Sequence, residues 1–312
     1  MILKERNLSK RNEIVDEVVQ RMDEGHVDYN YFLSTLQRIQ AGFAGEVRLD
    51  RELADIQMPC EFVVVNDWEI PFHQMDSIFI CPYFALVIEV KNISGRIELD
   101  DELHQFTRIR SDGVVDPFQN PTDQVRRHQR KVTQLFQQWG IHLPVECVVV
   151  FTHAQTNLVR IESEVRVFHV TGLQYKLQQL LAEHQVRLVC ESTMRELGER
   201  LISIHEPRMW RPKIDVNVLK KGALCKKCCV VLIYRYGSWH CSVCGERNDT
   251  AHINGMRAYR IFWNEMISNE EFRAFFGIKC SKTAYRLLKK MGLEYVGTYK
   301  DRKYVIPADL ER

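Results

Sequence analysis

The most constraining feature of this sequence is a pair of apolar segments, DSIFIC (76–81) and FALVIEVKN (84–92), separated by only two residues. Short runs rich in β-branched and aromatic residues, joined by a tight turn, predict an antiparallel β-hairpin. A turn centred on the two intervening residues places Asp76 directly opposite Glu89, with their Cβ atoms about 5 Å apart. A slip of one residue would send the two carboxylates to opposite faces of the sheet.

The second strand of this hairpin carries a charged pair, Glu89 and Lys91, on one face, because side chains alternate along a strand. Ile88 and Val90 take the other face, against the core. The carboxylates of Glu89 and Asp76 repel each other unless a cation lies between them. Mg²⁺ binds one or two carboxylates together with water or phosphate oxygens, and Lys91 could polarise a water or balance phosphate charge. The set therefore predicts phosphodiester hydrolysis, and the alternative is a surface strand with scattered charges.

The segments around the hairpin have the lengths and periodicities of an α/β domain. Helices are predicted at 30–57, 119–139 and 173–184, and further strands at 61–67, 145–152 and 165–170. Within the first helix, Gly42 and Gly45 form a Gly-x-x-Gly interruption. A hairpin followed by a helical crossover predicts a mixed sheet with helices on its faces.

Composition excludes several classes of protein. The chain is 45% hydrophobic and 27% charged, as in ordinary globular proteins. No apolar run reaches the ~18 residues that a membrane span requires, so no membrane partner is expected. The N-terminus, MILKERNLSKRNEIVDEVVQRMDEG, reads as a charged helix and lacks the apolar core of a signal peptide. The expected location is the cytoplasm, where cysteines stay reduced.

Charge is distributed unevenly along the chain. Residues 208–312 contain 21 Lys and Arg against 10 Asp and Glu, although the whole chain has a net charge of only +2. A basic C-terminal third attached to an acidic body indicates an appendage that binds a polyanion. The alternative is that these cations only solvate small domains.

Four cysteines, Cys225, Cys228, Cys241 and Cys244, follow the pattern C-x₂-C-x₁₂-C-x₂-C. Two such pairs can place four thiolates around one Zn²⁺, and without an open coordination position the ion would be structural. Two disulfides are the alternative. Cys229 is expected to be buried, and the remaining cysteines are expected to be core thiols: Cys60, Cys81, Cys147, Cys190 and Cys280.

Cations and aromatic residues surround this cysteine-rich segment. Tyr234, Tyr236 and Trp239 suit either stacking on bases or the core of a small domain. The lysines expected to contact nucleic acid here are Lys220, Lys221, Lys226 and Lys227.

The C-terminal segment predicts three helices and a hairpin. The first helix covers 256–267, a Ser268-x-x-Glu271 capping box starts the second, and Ser281 caps the third. The third helix has an apolar stripe on one side and basic residues on the other. Its candidate nucleic-acid contacts are Lys282, Thr283, Arg286, Lys289 and Lys290. A small protein-interaction domain with a solvated basic face is the alternative.

Three stretches resemble the nuclease-related domain (NERD), a family of the PD-(D/E)xK superfamily: AGFAGE (41–46), HQMDSIFICPYFALVIEVKNISGRI (73–97) and QNPTDQ (119–124). The resemblance implies a restriction-endonuclease-like mixed sheet flanked by helices, and a nuclease that uses Mg²⁺ or Mn²⁺. Met75 departs from the superfamily pattern, which has Pro before the aspartate.

The same resemblance implies a role for each site residue. Asp76 and Glu89 would ligate the metal, assisted by the carbonyl of Val90, and Lys91 would place the attacking water. Glu46 would orient a water or hold a second metal, and Gln124 would face the site. Contact of His73 and Gln74 with substrate and a plain strand-edge role are equally compatible with the sequence.

The C-terminal segments resemble the zinc ribbon of topoisomerase tails and a winged helix-turn-helix, a small α+β domain. The predicted domains are an N-terminal helical segment (1–29), the nuclease-related domain (30–207), a linker (208–219), the zinc ribbon (220–250) and the helix-turn-helix-like domain (251–312). The predicted function is metal-dependent hydrolysis of nucleic acid, DNA rather than RNA, and a homodimer is compatible with it. A non-catalytic nucleic-acid adaptor on a nuclease-like scaffold is the alternative function.

Overall fold

The computed structural model describes residues 1–208 and 210–310, which form two compact units. Unit 1 comes from Met1–Leu8 and Arg38–Met209, and unit 2 from Ser9–Gln37 and Trp210–Arg312. Met209 of the predicted linker, and the last two residues of the predicted C-terminal domain, lie outside the described residues. The five-part domain division stays a prediction.

Unit 1 is an α/β unit. Its strands are β1 (Ile2–Lys4), β2 (Val63–Ile70), β3 (His73–Ile80), β4 (Ala85–Lys91), β5 (Gly95–Asp100), β6 (Gln105–Ile109), β7 (Val115–Gln119), β8 (Val145–Phe151), β9 (Thr156–Glu162) and β10 (Arg166–His169). Its helices are the second part of α2 (Tyr29–Ala54), α3 (Pro121–Gln138), α4 (Leu173–Glu183) and α5 (Glu191–Ser203), whereas α1 (Lys10–Arg21) belongs to unit 2.

The main sheet has six strands in the order β1-β2-β3-β4-β8-β10. Strands β2, β3 and β4 pair antiparallel, whereas β4–β8, β8–β10 and β1–β2 pair parallel. The parallel pair β4–β8 requires a crossover, which contains α3. The predicted mixed sheet flanked by helices is therefore confirmed.

Both faces of this sheet are buried. On one face, Val87 of β4 packs in a cluster with residues of α3 and α5, such as Val132 and Leu197. On the other face, Ile88 packs with residues of α2 and α4, such as Leu49. Because β4 is central and covered twice, it has a nearly continuous apolar sequence, which is typical of buried strands.

A second sheet in unit 1, ordered β7-β6-β5-β9, was not predicted from the sequence. Of the apolar residues in its strands, Ile97, Leu99 and Phe106 are buried in the main cluster, and the others are half-buried or exposed. Cross-strand ion pairs help to hold the rest, including Asp116 of β7 with Arg108 of β6 at 2.6 Å. Short strands that are largely exposed give only a weak hydrophobic signal in the sequence.

Two predictions about helices were wrong. Helix α2 continues without a break through Gly42 and Gly45. The charged N-terminus is not one helix, since β1 pairs with β2 and α1 begins only at Lys10, after the N-cap Ser9. In the described part of the chain, no helix has both the length and the apolar character needed to cross a membrane.

Unit 2 is a set of short elements. Its strands are β11 (Ile233–Arg235), β12 (Ser238–His240), β13 (Arg247–Asn248), β14 (Met266–Ser268), β15 (Tyr295–Val296) and β16 (Lys303–Val305). Its helices are α1, the start of α2, α6 (Ala251–Phe262), α7 (Asn269–Phe276) and α8 (Ser281–Lys290). The strands form two three-stranded sheets, β11-β12-β13 and β14-β16-β15.

Most of the helix caps that the sequence predicts for unit 2 are present in the structure. Ser268 and Glu271 form the predicted capping box of α7, and Gly277 ends that helix in the left-handed conformation. Helix α8 begins at Ser281 itself, with Cys280 as its N-cap, so the predicted Ser281 cap is displaced by one residue. Helix α6 runs from Ala251 to Phe262, whereas the sequence predicted a helix at 256–267.

One apolar cluster joins the cysteine-rich segment of unit 2 to its helices. It contains Trp239 of β12 together with Phe272 and Phe276 of α7. The buried Arg21 of α1 adds polar links, because its guanidinium donates hydrogen bonds to the carbonyls of Lys220 and Gly222. The cysteine-rich segment and the helical segment therefore share one core.

Candidate functional site

The β3–β4 hairpin brings Asp76 and Glu89 together. Its ladder runs from Ile80–Ala85 to Ser77–Ile88, which is the predicted register. Asp76 and Glu89 are the next positions on the two strands. The backbone pairing ends just before these two residues. There the Asp76 carboxylate accepts a hydrogen bond of 2.7 Å from the N–H of Val90.

Glu89 and Lys91 form an ion pair inside the unit. The Lys91 ammonium donates to Glu89 Oε1 at 2.6 Å, and the Glu89 side chain is only 3% exposed. Burial, and then the charge of Asp76, raises the pKa of Glu89 to about 8. Removal from bulk water also raises the pKa of Asp76, against the opposing charge of Lys91. The site therefore contains more carboxyl groups than the single Lys91 ammonium can neutralise if all of them are ionised.

A glycine in α2 sets the position of Glu46. A Cβ at Gly45 would lie 2.5 Å from Asn92 Cβ and 2.6 Å from Thr152 Oγ1. Only glycine lets the helix approach the ends of β4 and β8 this closely. Burial, and then the charge of Asp76, raises the pKa of Glu46 to about 7, which links Glu46 electrostatically to the hairpin carboxylates.

Arg6 is a residue of this region that sequence reasoning missed. Its side chain is 3% exposed, and its guanidinium lies 3.0 Å from Glu46 and 2.6 Å from Asp67. It also binds Asp50 at 2.8 Å and donates to Ser77 Oγ at 2.8 Å. Arg6 is therefore a fixed cation at the place where the sequence predicted that Glu46 could hold a second metal.

Helix α3 contributes the remaining polar side chains. Asn120 caps its N-terminus, and Gln124, one turn later, accepts a hydrogen bond of 3.4 Å from the Lys91 ammonium. One further turn along, His128 points its Nδ1 atom at Glu89 Oε2 from 3.9 Å. Burial, and then the charge of His73, lowers the pKa of His128 to about 4, so it is neutral at pH 7. Sequence reasoning missed His128, although it lies one turn from Gln124.

Two buried atoms in this site lack a hydrogen-bond partner among the described residues: Glu89 Oε2 and His128 Nδ1. Buried polar atoms normally have a partner. A divalent cation with its water would satisfy the carboxylate and offset the raised pKa values of Asp76 and Glu89. The residues present therefore fit a hard divalent ion.

The four predicted cysteines converge in unit 2. The sulfur atoms of Cys225, Cys228, Cys241 and Cys244 all lie within 4.8 Å of one another. Cys225 and Cys244 are 3.7 Å apart. Thiolates at the corners of a Zn²⁺ tetrahedron with ~2.3 Å bonds are about 3.8 Å apart. The cluster is thus compatible with zinc, and the ten cysteines of the described residues are free of disulfides.

The pKa values of two thiols in this cluster also favour a bound cation. Backbone N–H groups of Cys244 and Val243 lower the pKa of Cys241 to about 7. The neighbouring Cys244 thiol raises the pKa of Cys228 to about 12. A bound positive ion would favour the thiolate form of Cys228, which the neighbouring thiols otherwise disfavour. Cys229, half-buried with a φ of 51°, is not a member of the cluster.

The other cysteines divide into two groups. Cys81 and Cys147 are buried and Cys60 is half-buried, in line with core thiols. Cys190 and Cys280 are exposed, at the N-caps of α5 and α8, so the expectation of core thiols was wrong for these two.

The predicted nucleic-acid contacts lie mostly at the surface of unit 2. On α8, Thr283 is half-buried, while its basic neighbours Lys282, Arg286, Lys289 and Lys290 are exposed. In the cysteine-rich segment, Lys221, Lys226 and Lys227 are exposed and Lys220 is half-buried, but Lys227 pairs with Glu246 at 2.6 Å. Of the three aromatic residues, Trp239 is a core residue, Tyr234 is half-buried and Tyr236 is 97% exposed.

Residues 41–152 match the family model of the nuclease-related domain (NERD). This segment contains Glu46, Asp76, Glu89, Lys91 and Gln124, and it runs from within α2 to the residue after β8. Neither a curated protein nor a solved structure matches the chain.

Proposed function

We propose that this protein is a metal-dependent nuclease that hydrolyses phosphodiester bonds of DNA. The observation that carries the proposal is the buried grouping of Asp76, Glu89 and Lys91 at the end of one hairpin, within the segment that matches the nuclease-related domain. The raised pKa of Glu89 and the absence of a hydrogen-bond partner for its Oε2 atom among the described residues support a role in holding a cation.

Each residue has a role that its contacts support. Asp76 and Glu89 would hold Mg²⁺ or Mn²⁺, with the Val90 carbonyl as a further ligand. When bound, the ion would supply charge neutralisation at the scissile phosphate. Lys91, fixed by Glu89 and Gln124, would hold the attacking water and balance charge on the phosphate.

Glu46 would act together with Arg6. Because Arg6 already contacts Glu46, Asp50 and Asp67, the acidic groups on the α2 side have a cation of their own. This arrangement supports one divalent ion, at the hairpin, with Glu46 orienting a water. The zinc-compatible cluster would stabilise the fold of unit 2 and leave no open position for catalysis.

The test is metal-dependent cleavage. The protein is expected to cut DNA in Mg²⁺ or Mn²⁺ and to leave it intact in EDTA, because the metal is needed to offset phosphate charge. Labelled DNA and RNA of one sequence, resolved on denaturing gels, measure the rate and the preference. RNA should be cut more slowly.

The adaptor alternative gives a different result in the same experiment. If the protein binds DNA but cuts neither DNA nor RNA with either metal, the nuclease proposal is wrong and a non-catalytic role is favoured. The exposed cations of α8 support that alternative only as far as binding is concerned.

We propose further that α8 of unit 2 docks DNA. Lys282→Gln, Arg286→Gln and Lys289→Gln together should reduce the slope of log affinity against log salt by about 2.7, since each phosphate contact on duplex DNA contributes about 0.9. Fluorescence anisotropy in EDTA measures binding without cleavage.

A control of equal charge uses three exposed arginines of unit 1, Arg51→Gln, Arg187→Gln and Arg195→Gln. The control should leave the salt slope near that of the unaltered protein. Equal slopes for both triple variants would show that α8 does not dock DNA.

A further inference from the structure

The turn between β2 and β3 presents an exposed aromatic side chain in a strained backbone conformation. Phe72 is fully exposed, at 102% of the reference area, and has a φ of 69°. It follows Pro71, so the turn has the sequence and dihedral pattern that ordinarily places glycine at this position. A bulky residue with positive φ is strained, and full exposure gives it no packing in return.

The surroundings of Phe72 are basic. The adjacent His73 ring lies 5.6 Å from the His128 ring of α3, measured between centroids. Arg127 is adjacent to His128 on α3, and Lys131 follows His128 by three residues, so both cations lie within one helical turn of the ring that contacts His73. Arg127 is exposed and Lys131 half-buried, and neither forms an ion pair with any residue that the structure describes.

This patch adjoins the candidate active site. His128, which contacts His73 on one side, lies 3.9 Å from Glu89 on the other. Phe72 directly precedes β3 and Asp76 is the fourth residue of that strand, so the two lie roughly 13 Å apart along the backbone. A strand whose phosphate is held at Asp76 and Glu89 would span this distance to reach Phe72. Free cations beside an exposed aromatic ring are the combination that binds the backbone and the bases of single-stranded nucleic acid.

We propose that Phe72, Arg127 and Lys131 form a docking patch for unpaired nucleotides next to the site of cleavage. Phe72 stacks on a base, and the two cations hold phosphates of the same strand. Bases of an intact duplex are stacked on one another and cannot meet the ring, so the substrate class is single-stranded DNA or a frayed end or flap. This inference rests on the proposed function for the position of the scissile phosphate.

The test replaces the ring without harming the turn. Phe72→Gly suits the positive φ, so the unfolding midpoint should not fall. Affinity for a single-stranded oligonucleotide should weaken roughly tenfold, which corresponds to the loss of one base–aromatic stack, while affinity for a blunt duplex stays unchanged. Anisotropy in EDTA measures both, and 2-aminopurine in the oligonucleotide reports stacking by its quenched fluorescence.

A matched control is Tyr175→Ala, which removes an exposed ring from α4 on the opposite face of the main sheet. It should leave both affinities unchanged. Arg127→Gln with Lys131→Gln should lower the salt slope for single strands by about 1.4.

The outcomes separate this proposal from the nuclease proposal. Unchanged single-strand affinity and unchanged 2-aminopurine quenching in Phe72→Gly overturn the docking patch, even if DNA is cut. A selective loss of single-strand affinity supports the patch, even if no cleavage is found.

Discussion

Replacement of Asp76 by asparagine is expected to slow DNA cleavage about a thousandfold, because a catalytic metal supplies several kcal/mol of transition-state stabilisation. Asparagine retains a carbonyl oxygen that can accept the Val90 N–H hydrogen bond, so the hairpin keeps its geometry. The variant removes only the charge that would hold the ion. Single-turnover cleavage in Mg²⁺, with protein in excess over DNA, measures the effect on chemistry.

Asp76→Asn should stabilise the metal-free protein although it slows cleavage. In the absence of divalent ions, the raised pKa values of Glu46 (about 7) and Glu89 (about 8) mean that the folded chain binds more protons than the unfolded chain, whose carboxyls titrate near 4.5. The free energy of unfolding therefore falls as pH rises from about 4.5 through 8. Asp76→Asn removes a repelling charge and should flatten this fall.

Addition of Mg²⁺ should raise the melting temperature of the unaltered protein most above pH 8, where the carboxylates are ionised, and should have little effect on Asp76→Asn. The matched control is Asp116→Asn, which removes a carboxylate paired with Arg108 and Arg110 on the second sheet. Cleavage by the control should be close to that of the unaltered protein. Full cleavage by Asp76→Asn would rule out the hairpin as the metal site.

Loss of a cysteine from the four-thiol cluster is expected to unfold most of unit 2. Structural zinc contributes about 10–16 kcal/mol in small zinc domains, more than such a unit can lose. Cys225 and Cys241 belong to the same apolar cluster as Trp239, Phe272 and Phe276. Cys241→Ser should therefore abolish zinc binding and also loosen α7, far along the chain from the altered residue.

Two measurements check this expectation. Zinc content per chain, measured after thiol modification, should fall from one to zero in Cys241→Ser, and Trp fluorescence should shift to the red as the fully buried Trp239 meets water. Cys229→Ser is the control, because Cys229 adjoins Cys228 but lies outside the cluster. Zinc bound equally by both variants, or an absence of zinc from the unaltered protein, would contradict the assignment.

The hairpin and the cysteine centre were predictable because local rules determine them. A two-residue connection fixes the β3–β4 register, and that register brings Asp76 to Glu89. Cysteine spacing likewise determines which thiols can meet, and the four predicted sulfurs do meet. Because side chains alternate along β4, the sequence predicted that Glu89 and Lys91 share one face of the sheet. In the structure these two residues form an ion pair.

The contributions of Arg6 and His128 could not be predicted, because tertiary packing determines them. Arg6 reaches Asp67 and Ser77 only because β1 joins the sheet beside β2, and nothing in the local sequence gives that strand order. His128 faces Glu89 because α3 packs over β4 with one particular rotation. Gln124 and His128 are four residues apart, and that spacing was the only signal available.

The strand order of unit 1 has a consequence for how the protein emerges from the ribosome. Strand β4 completes its pairing only with β8, after the whole of α3 has been synthesised. Asp76 and Glu89 therefore leave the exit tunnel before β8, the strand that will flank them. Arg6 is synthesised well before β2, the strand beside which β1 pairs. Such distant closures are entropically slow to form. A nascent chain that stops short of β8 thus carries the acidic residues without the framework that positions them.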